Sequence, residues 1–166
     1  MFEVGDKVVH PAHGAGVVVG IESKEIVERF NQYYIIDLVA SDRQLMVPVK
    51  NAEAIGLRPI VSEAKMRRTL DVLRSPPDDL PHNFRERQAH VGGRLKSGEV
   101  TTVAEVVRNL FWLNWQKELS YTESQLFERA KQMLAGELAL VRGVAVEKTM
   151  KEINDLLSLA TLTASR

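Results

Sequence analysis

Two rhythms of apolar positions divide this chain. Up to about residue 58 the apolar residues come in short runs rich in Val, Ile and Tyr, which predict strands at Val4–Val9, Ala15–Glu25, Tyr33–Val39 and Gln44–Val49. Loops around Asn31 and around Ser41-Asp42 separate them at hairpin spacing. Between the first two runs lies His10-Pro11-Ala12-His13-Gly14-Ala15-Gly16. Here Pro11 stiffens the approach to a corner, and Gly14 and Gly16 are expected to supply the positive φ values of a sharp turn. Four or five short strands in so few residues predict a small antiparallel barrel of SH3 or Tudor type. Such a barrel must cover its edges or offer one to a partner.

From Ser62 the rhythm becomes helical. Ser62 is placed to cap a helix whose stripe is Met66, Leu70 and Leu73, and Pro76, Pro77 and Pro81 then break it. A second helix is expected from Asn83 to Lys96 and a third from Thr102 to Lys117, with Val103, Val106, Val107 and Leu110 on its core face. Ser120-Tyr121-Thr122-Glu123 has the form of a capping box and opens a fourth helix to about Val141. Gly136 inside it is read as allowing close helix approach, because glycine there costs about 1 kcal/mol relative to alanine. After Gly143 a last amphipathic helix covers Val144 to Leu162. The expected fold class is therefore α+β in that order, a β-domain over residues 1–58 followed by an all-helical bundle over 62–166.

Charge changes the picture in one respect. The formal net charge is zero, with 22 basic and 22 acidic residues. By segment it is −3 over residues 1–55, +4 over 56–117 and −1 over 118–166. Affinity for a duplex comes mainly from neutralising phosphates, so weak binding to free DNA is expected, and any action on DNA requires delivery by another molecule. The chain has no cysteine, no apolar run long enough to span a membrane, and no basic and apolar leader of signal-peptide type at its start. These features fit a cytoplasmic protein.

Catalytic motifs are absent. There is no phosphate-binding glycine loop, nucleophile elbow or Ser/His/Asp arrangement. His10 and His13 stand three apart, but no cysteine or nearby histidine completes a four-ligand zinc set, so they are read as hydrogen-bonding residues of the corner. No cofactor, metal or enzymatic activity is expected.

Several blocks in order carry a resemblance that spans nearly the whole chain. They are Val4-Gly5-Asp6-x-Val8-Val9-x-Pro11-x-His13-Gly14, then Val47-Pro48-x-x-Asn51-Ala52-Glu53-x-x-Gly56-x-Arg58, then Lys96-Ser97-Gly98-Glu99-Val100, Val103 to Leu110, and Leu134-Ala135-Gly136-Glu137-Leu138-Ala139. The chain resembles the CarD family of bacterial transcription regulators, whose first domain is shared with the transcription-repair coupling factor. The resemblance implies that the β-domain binds the β subunit of RNA polymerase and that the helical domain contacts promoter DNA, so that the open complex is stabilised. It also implies association with the nucleoid through the polymerase.

By position, the resemblance puts polymerase contacts at Lys24, Met46, Val47 and Pro48. Lys24 keeps a charge that relatives commonly supply as Arg, without the bidentate fork, whereas Met46 stands where an Arg is common and cannot form an ion pair. The family's DNA-wedging Trp aligns with Phe84, and Arg85 and Arg87 are then placed to hold phosphates beside a minor-groove wedge. Arg94, Arg129 and Lys131 are further phosphate candidates. Without the resemblance, Phe84 reads for preference as a hydrophobic staple closing the second helix over the bundle, and Arg94, Arg129 and Lys131 read equally as solvated charges. The family's basic pair late in the third helix is here Trp112-Leu113. Trp112 and Trp115 form a ridge that is either covered, for preference by the last helix, or exposed to a partner. The alternative function is a polymerase- or protein-binding adaptor without direct DNA contact. Oligomeric state is open, with a monomer expected.

Overall fold

The sheet comes first in the chain and is buried on both faces at its centre, with Val8, Val9 and the whole run Tyr33 to Ile36 buried. The computed structural model describes residues 1–27 and 30–164. Strands β1 (Lys7–His10), β2 (Gly14–Val27), β3 (Phe30–Leu38), β4 (Gln44–Pro48) and β5 (Arg58–Pro59) form one antiparallel sheet in the order β4-β3-β2-β1-β5. Tyr34 and Ile36 of β3 point to the same side as Val18 and Val47, and with Val8, Ala52 and Leu57 they make a small buried core. A 3-10 turn (Val49–Asn51) and the short helix α1 (Ala52–Ile55) connect β4 to β5 and close this core. The ladder has β4 and β5 at its two ends.

Boundaries differ from the expectation for identifiable reasons. β1 begins at Lys7 rather than Val4, because Glu3 and Asp6 fold the start of the chain into a turn with Gly5 at φ +97°. β3 begins at Phe30, ahead of the loop expected around Asn31; residues 28 and 29 of that connection lie outside the described residues. At the corner, Gly14 takes φ +90° as expected, but Gly16 does not have a positive φ. Gly16 is required for space instead: a Cβ there would lie 2.6 Å from the Asp37 carbonyl oxygen and from Ile36 Cγ2.

The remaining helices are α2 (Glu63–Val72), α3 (Phe84–Leu95), α4 (Val100–Gln116), α5 (Tyr121–Arg142) and α6 (Val146–Ala164). The starts of α2 to α5 are capped by side chains. Ser62 Oγ accepts from Lys65 N, Asn83 Oδ1 from Arg85 N and Glu86 N, and Ser120 and Glu123 form the expected reciprocal capping box. α4 begins at Val100, two residues before the expected Thr102, because Glu99 is its cap and accepts from Thr102 N at 2.9 Å. The second, larger core joins Met66, Leu70 and Leu73 to Val103, Val106, Val107 and Leu110, to Leu134 and Leu138, and to Ile153 and Leu157.

The sheet and the helices meet along α5, which lies on β2. Gly136 makes this approach possible, but its neighbours are Val39 Cγ2 at 3.2 Å and Ala15 Cβ at 3.7 Å, so the close contact is helix on sheet rather than helix on helix. Glu137, 2% exposed, takes both guanidinium nitrogens of Arg58 at 2.8 Å and the Val61 N–H at 2.9 Å. Arg58 also donates to the Gly98 carbonyl at 2.8 Å. The last helix packs on α5, where Thr149 Oγ1 donates to the Ala135 carbonyl at 2.8 Å.

Candidate functional site

The first turn of α3 is built from a chain of polar contacts that begins in the proline segment before it. After α2, Arg108 of α4 donates to Ser75 Oγ at 2.7 Å and to Asp78 Oδ2 at 3.0 Å, and Asn109 Oδ1 accepts from Asp78 N at 3.0 Å. Prolines cannot form a helical ladder there, so these side chains supply the partners that hold the segment on α4. Further along, Arg87 reaches back and donates to the carbonyls of Pro81 at 3.3 Å and His82 at 3.2 Å. Its Nε donates to Glu123 Oε2 at 2.6 Å, with both side chains almost fully buried.

Phe84 stands on this frame. It is 45% exposed and has no place in either apolar core, so it does not act as a staple over the bundle. The Arg87 guanidinium carbon lies 5.8 Å from the ring centroid, within cation–π range. Arg85, next to it, is exposed. The result is an outward aromatic ring mounted on the buried Arg87–Glu123 pair, followed in the chain by Arg85, which forms no ion pair among the described residues. Burial raises the Glu123 carboxyl, but the Arg87 guanidinium and the Ser120 hydroxyl and N–H outweigh it, so the pKa is lowered and the ion pair is kept.

The other cations expected at DNA face different neighbours. Arg87 departs most from expectation: at 4% exposure it positions the loop and the ring and is not available to a phosphate. Arg94 is ion-paired with Glu105 of α4. Arg129 donates to the Ala12 carbonyl at the β1–β2 corner. Lys131 pairs with Glu128 at 3.0 Å and lies 4.6 Å from the Phe127 ring centroid. Of these residues, Phe84 and Arg85 are exposed and adjacent in the chain at the start of α3.

On the sheet, Lys24 and Met46 are brought together. Lys24 Nζ lies 3.9 Å from Met46 Sδ and 3.4 Å from Glu22 Oε2, and Met46 is 39% exposed. Met46 faces Ile35 across the ladder and belongs to the outermost strand, β4. Val47 departs from the expectation: it is 3% exposed and points into the sheet core, so only its backbone is on offer. Pro48 is partly buried at the end of the strand.

The tryptophan ridge is also different from the preferred expectation. Trp112 is buried beside the proline segment, with Pro77, Leu80 and Pro81 lining the same cleft of about 350 Å³, while α6 lies on α5. Trp115, 56% exposed, stands edge-on to Trp112 with centroids 5.1 Å apart. At the corner, the His10 and His13 rings are 4.8 Å apart and His10 Nδ1 accepts from Ala12 N at 3.0 Å. Among the described residues no group of three or more His, Asp or Glu is placed to hold a metal ion, and no helix is long and apolar enough to cross a membrane.

Glu123, Asp78, Asn109, Arg58 and Glu137 carry these arrangements and were not marked as functional by sequence. Glu123 had a signal in the capping box, which uses only part of its carboxylate. Arg58 and Glu137 lay inside two of the matching blocks, 79 positions apart, where nothing local pairs them.

Two family models match the chain in tandem. Residues 2–61 match the CarD-like/TRCF RID domain, and residues 68–154 match the CarD C-terminal domain. Over 151 residues the chain is 30% identical to a Bacillus subtilis (strain 168) protein named "Putative transcription factor YdeB"; the alignment covers 91% of this chain and 98% of that protein.

Proposed function

The chain belongs to the CarD family of transcription factors, and from that premise we propose that it acts without catalysis, by binding two surfaces of the transcription machinery at once. The sheet binds the RNA polymerase β subunit. The outer strand β4 is the pairing edge, where backbone hydrogen bonds give affinity and the Lys24–Met46 patch gives specificity. An apolar Met46 in place of a second cation favours a partner surface with an apolar contact beside one acidic group.

Tethering then raises the local concentration of the helical part at the promoter, so that weak intrinsic DNA affinity suffices. Phe84 enters the minor groove at the upstream edge of the melted region, and Arg85 holds a neighbouring phosphate. Favouring the open state by about 1.4 kcal/mol shifts its population tenfold. The observation that carries this reading is Phe84, an exposed ring on a mount made by the buried Arg87–Glu123 pair.

Open-complex lifetime on a promoter, with cognate polymerase and either the wild-type chain or Phe84→Ala, tests it. The expected result is a longer lifetime with wild type and loss of that extension in a folded, polymerase-bound mutant. An unchanged lifetime with bound wild type removes the wedge. Trp115 supports the second reading, an adaptor without DNA contact, since its exposed ring is available to another protein. That reading predicts that Trp115→Ala, and not Phe84→Ala, abolishes the effect on transcription.

A further inference from the structure

The seam between sheet and helices leaves two adjoining hollows on either side of the Arg129–Ala12 bridge. The first, of about 350 Å³, is walled by Ala12 and His13 of the corner, Ser41 and Arg43 of the β3–β4 loop, and Arg129 and Gln132 of α5. The second, of about 390 Å³, is mostly apolar: Pro11, Ile55, Leu95 and Leu126 line it, with His10 and Lys96 among its walls.

Two features set the first hollow apart. No carboxylate lines either hollow, and Arg43, Arg129 and Lys96 form no ion pair among the described residues. Elsewhere on the molecule, Arg58, Arg87, Arg94, Arg108 and Arg142 all have acidic partners, and Arg67, Arg68 and Arg85, which form no ion pair among the described residues, are exposed and lie outside both hollows. Both arginines act on His13 between them: burial first, and then Arg43 and Arg129, lower its pKa. Positive groups concentrated without a counter-ion in a concave wall attract an anion and raise its local concentration.

The donors suit phosphate. Arg43 is exposed, its side chain has no hydrogen-bond partner among the described residues, and Arg129 uses one nitrogen on Ala12. Ser41 Oγ accepts from Arg43 N at 3.4 Å and keeps its own proton to donate, and the Gln132 amide adds two more donors. A hollow of this volume takes a small molecule.

We propose that this seam binds a small phosphorylated molecule, with the phosphates held by Arg43, Arg129, Ser41 and Gln132 and an apolar or ring body in the adjoining hollow against Pro11, Ile55, Leu95 and Leu126. A nucleotide has this chemistry and size. The site is independent of the promoter-DNA reading, and its ligand would tie the corner of the sheet to α5 directly.

Isothermal titration of the full chain with ATP and with inorganic pyrophosphate is the test, repeated on Arg43→Gln and on the distant surface control Arg67→Gln after circular dichroism confirms folding. The expected result is one ATP per chain, weaker pyrophosphate binding, a loss of about tenfold or more in Arg43→Gln and no change in Arg67→Gln. Arg43 has no internal partner to lose, so that variant is expected to fold. A short DNA duplex is then added to the ATP complex and should not displace the nucleotide. The proposal is overturned by no ATP binding at about 1 mM, by equal affinity in wild type and Arg43→Gln, or by displacement with duplex, which would make the cations nucleic-acid ground.

Discussion

The first turn of α3 and the seam between sheet and helices each rest on a buried glutamate that grips an arginine, yet the two pairs do different things. At α3 the pair lies inside the helical core, both partners nearly water-free, and it carries Phe84 outward. At the seam Arg58 keeps 27% of its side chain exposed, while Glu137 collects two of its guanidinium nitrogens and the backbone N–H of Val61, three residues beyond Arg58. One pair presents a ring, and the other sets the angle between two parts of the protein. The same two residue types thus become a mount or a tie according to which elements they join. A buried ion pair of either kind is weak support for stability in itself, because desolvation offsets much of the attraction. Its loss is still costly when one partner is left behind.

That asymmetry orders the ways to break the comparison. Glu123→Ala strands Arg87 where water cannot reach and removes half of a capping box, so a loss of about 3–5 kcal/mol is expected. For a chain of this size each 1 kcal/mol corresponds to about 2–4 °C in Tm, and thermal unfolding followed by circular dichroism reads it. Glu137→Ala leaves an arginine that can still meet water, so its loss should be smaller, about 2 kcal/mol, mainly from the orphaned Val61 N–H and the weakened seam. A drop equal to that of Glu123→Ala would mean that the seam and the mount are energetically alike.

Gly98→Ala tests the seam without touching a charge. Its φ is +67°, and a Cβ would lie 2.7 Å from Pro11 Cα, so about 1–2 kcal/mol is expected from the backbone alone, with repacking of the corner in addition. Proteolysis and Tm should both register it. Phe84→Ala should change Tm by little, on the order of 0.5 kcal/mol, because nearly half the ring is already in water. Its effect belongs to the open-complex lifetime instead. A large Tm loss would make Phe84 a packing residue.

The smallest effect concerns acid. Burial pushes the Glu99 carboxyl up, but the N–H groups of Thr102 and Thr101, Lys65 and the Thr102 hydroxyl bring it down to about 2 from an ordinary value of 4.5. A carboxylate with a depressed folded pKa contributes stability that is complete above the unfolded value and lost as pH falls towards the folded one. Urea unfolding between pH 4.5 and about 2 should therefore show a slope that Glu99→Gln reduces. Because Glu99 is partly exposed, the change in slope should be slight.

Much of the architecture was legible in the chain because it depends on local periodicity and on capping chemistry. Ser62, Asn83, Gly143 and the Ser120–Glu123 box mark helix ends wherever the helices sit in space. The matching blocks identified the family, and the two tandem models agree with them. The candidate site was legible only in part. Phe84 and Arg85 could be singled out, whereas Arg87, two residues on, was read as a phosphate contact although it is buried. Its partner is 36 positions away, and no pattern near Arg87 announces it.

The division follows from what each kind of information can contain. By itself the chain determined the order of the four longer strands and five longer helices, the Ser62 and Ser120–Glu123 caps and the apolar stripes Met66, Leu70, Leu73 and Val103, Val106, Val107, Leu110, all of which follow from neighbours within a few positions. Tertiary structure alone decided which arginines face water, that Gly16 serves space rather than φ, that Gly136 meets the sheet, and that Trp112 shares a cleft with Pro77 and Pro81. These outcomes depend on partners about 20 to 120 positions away, and a charge has no fixed role until folding decides whether its counter-ion or water stands beside it.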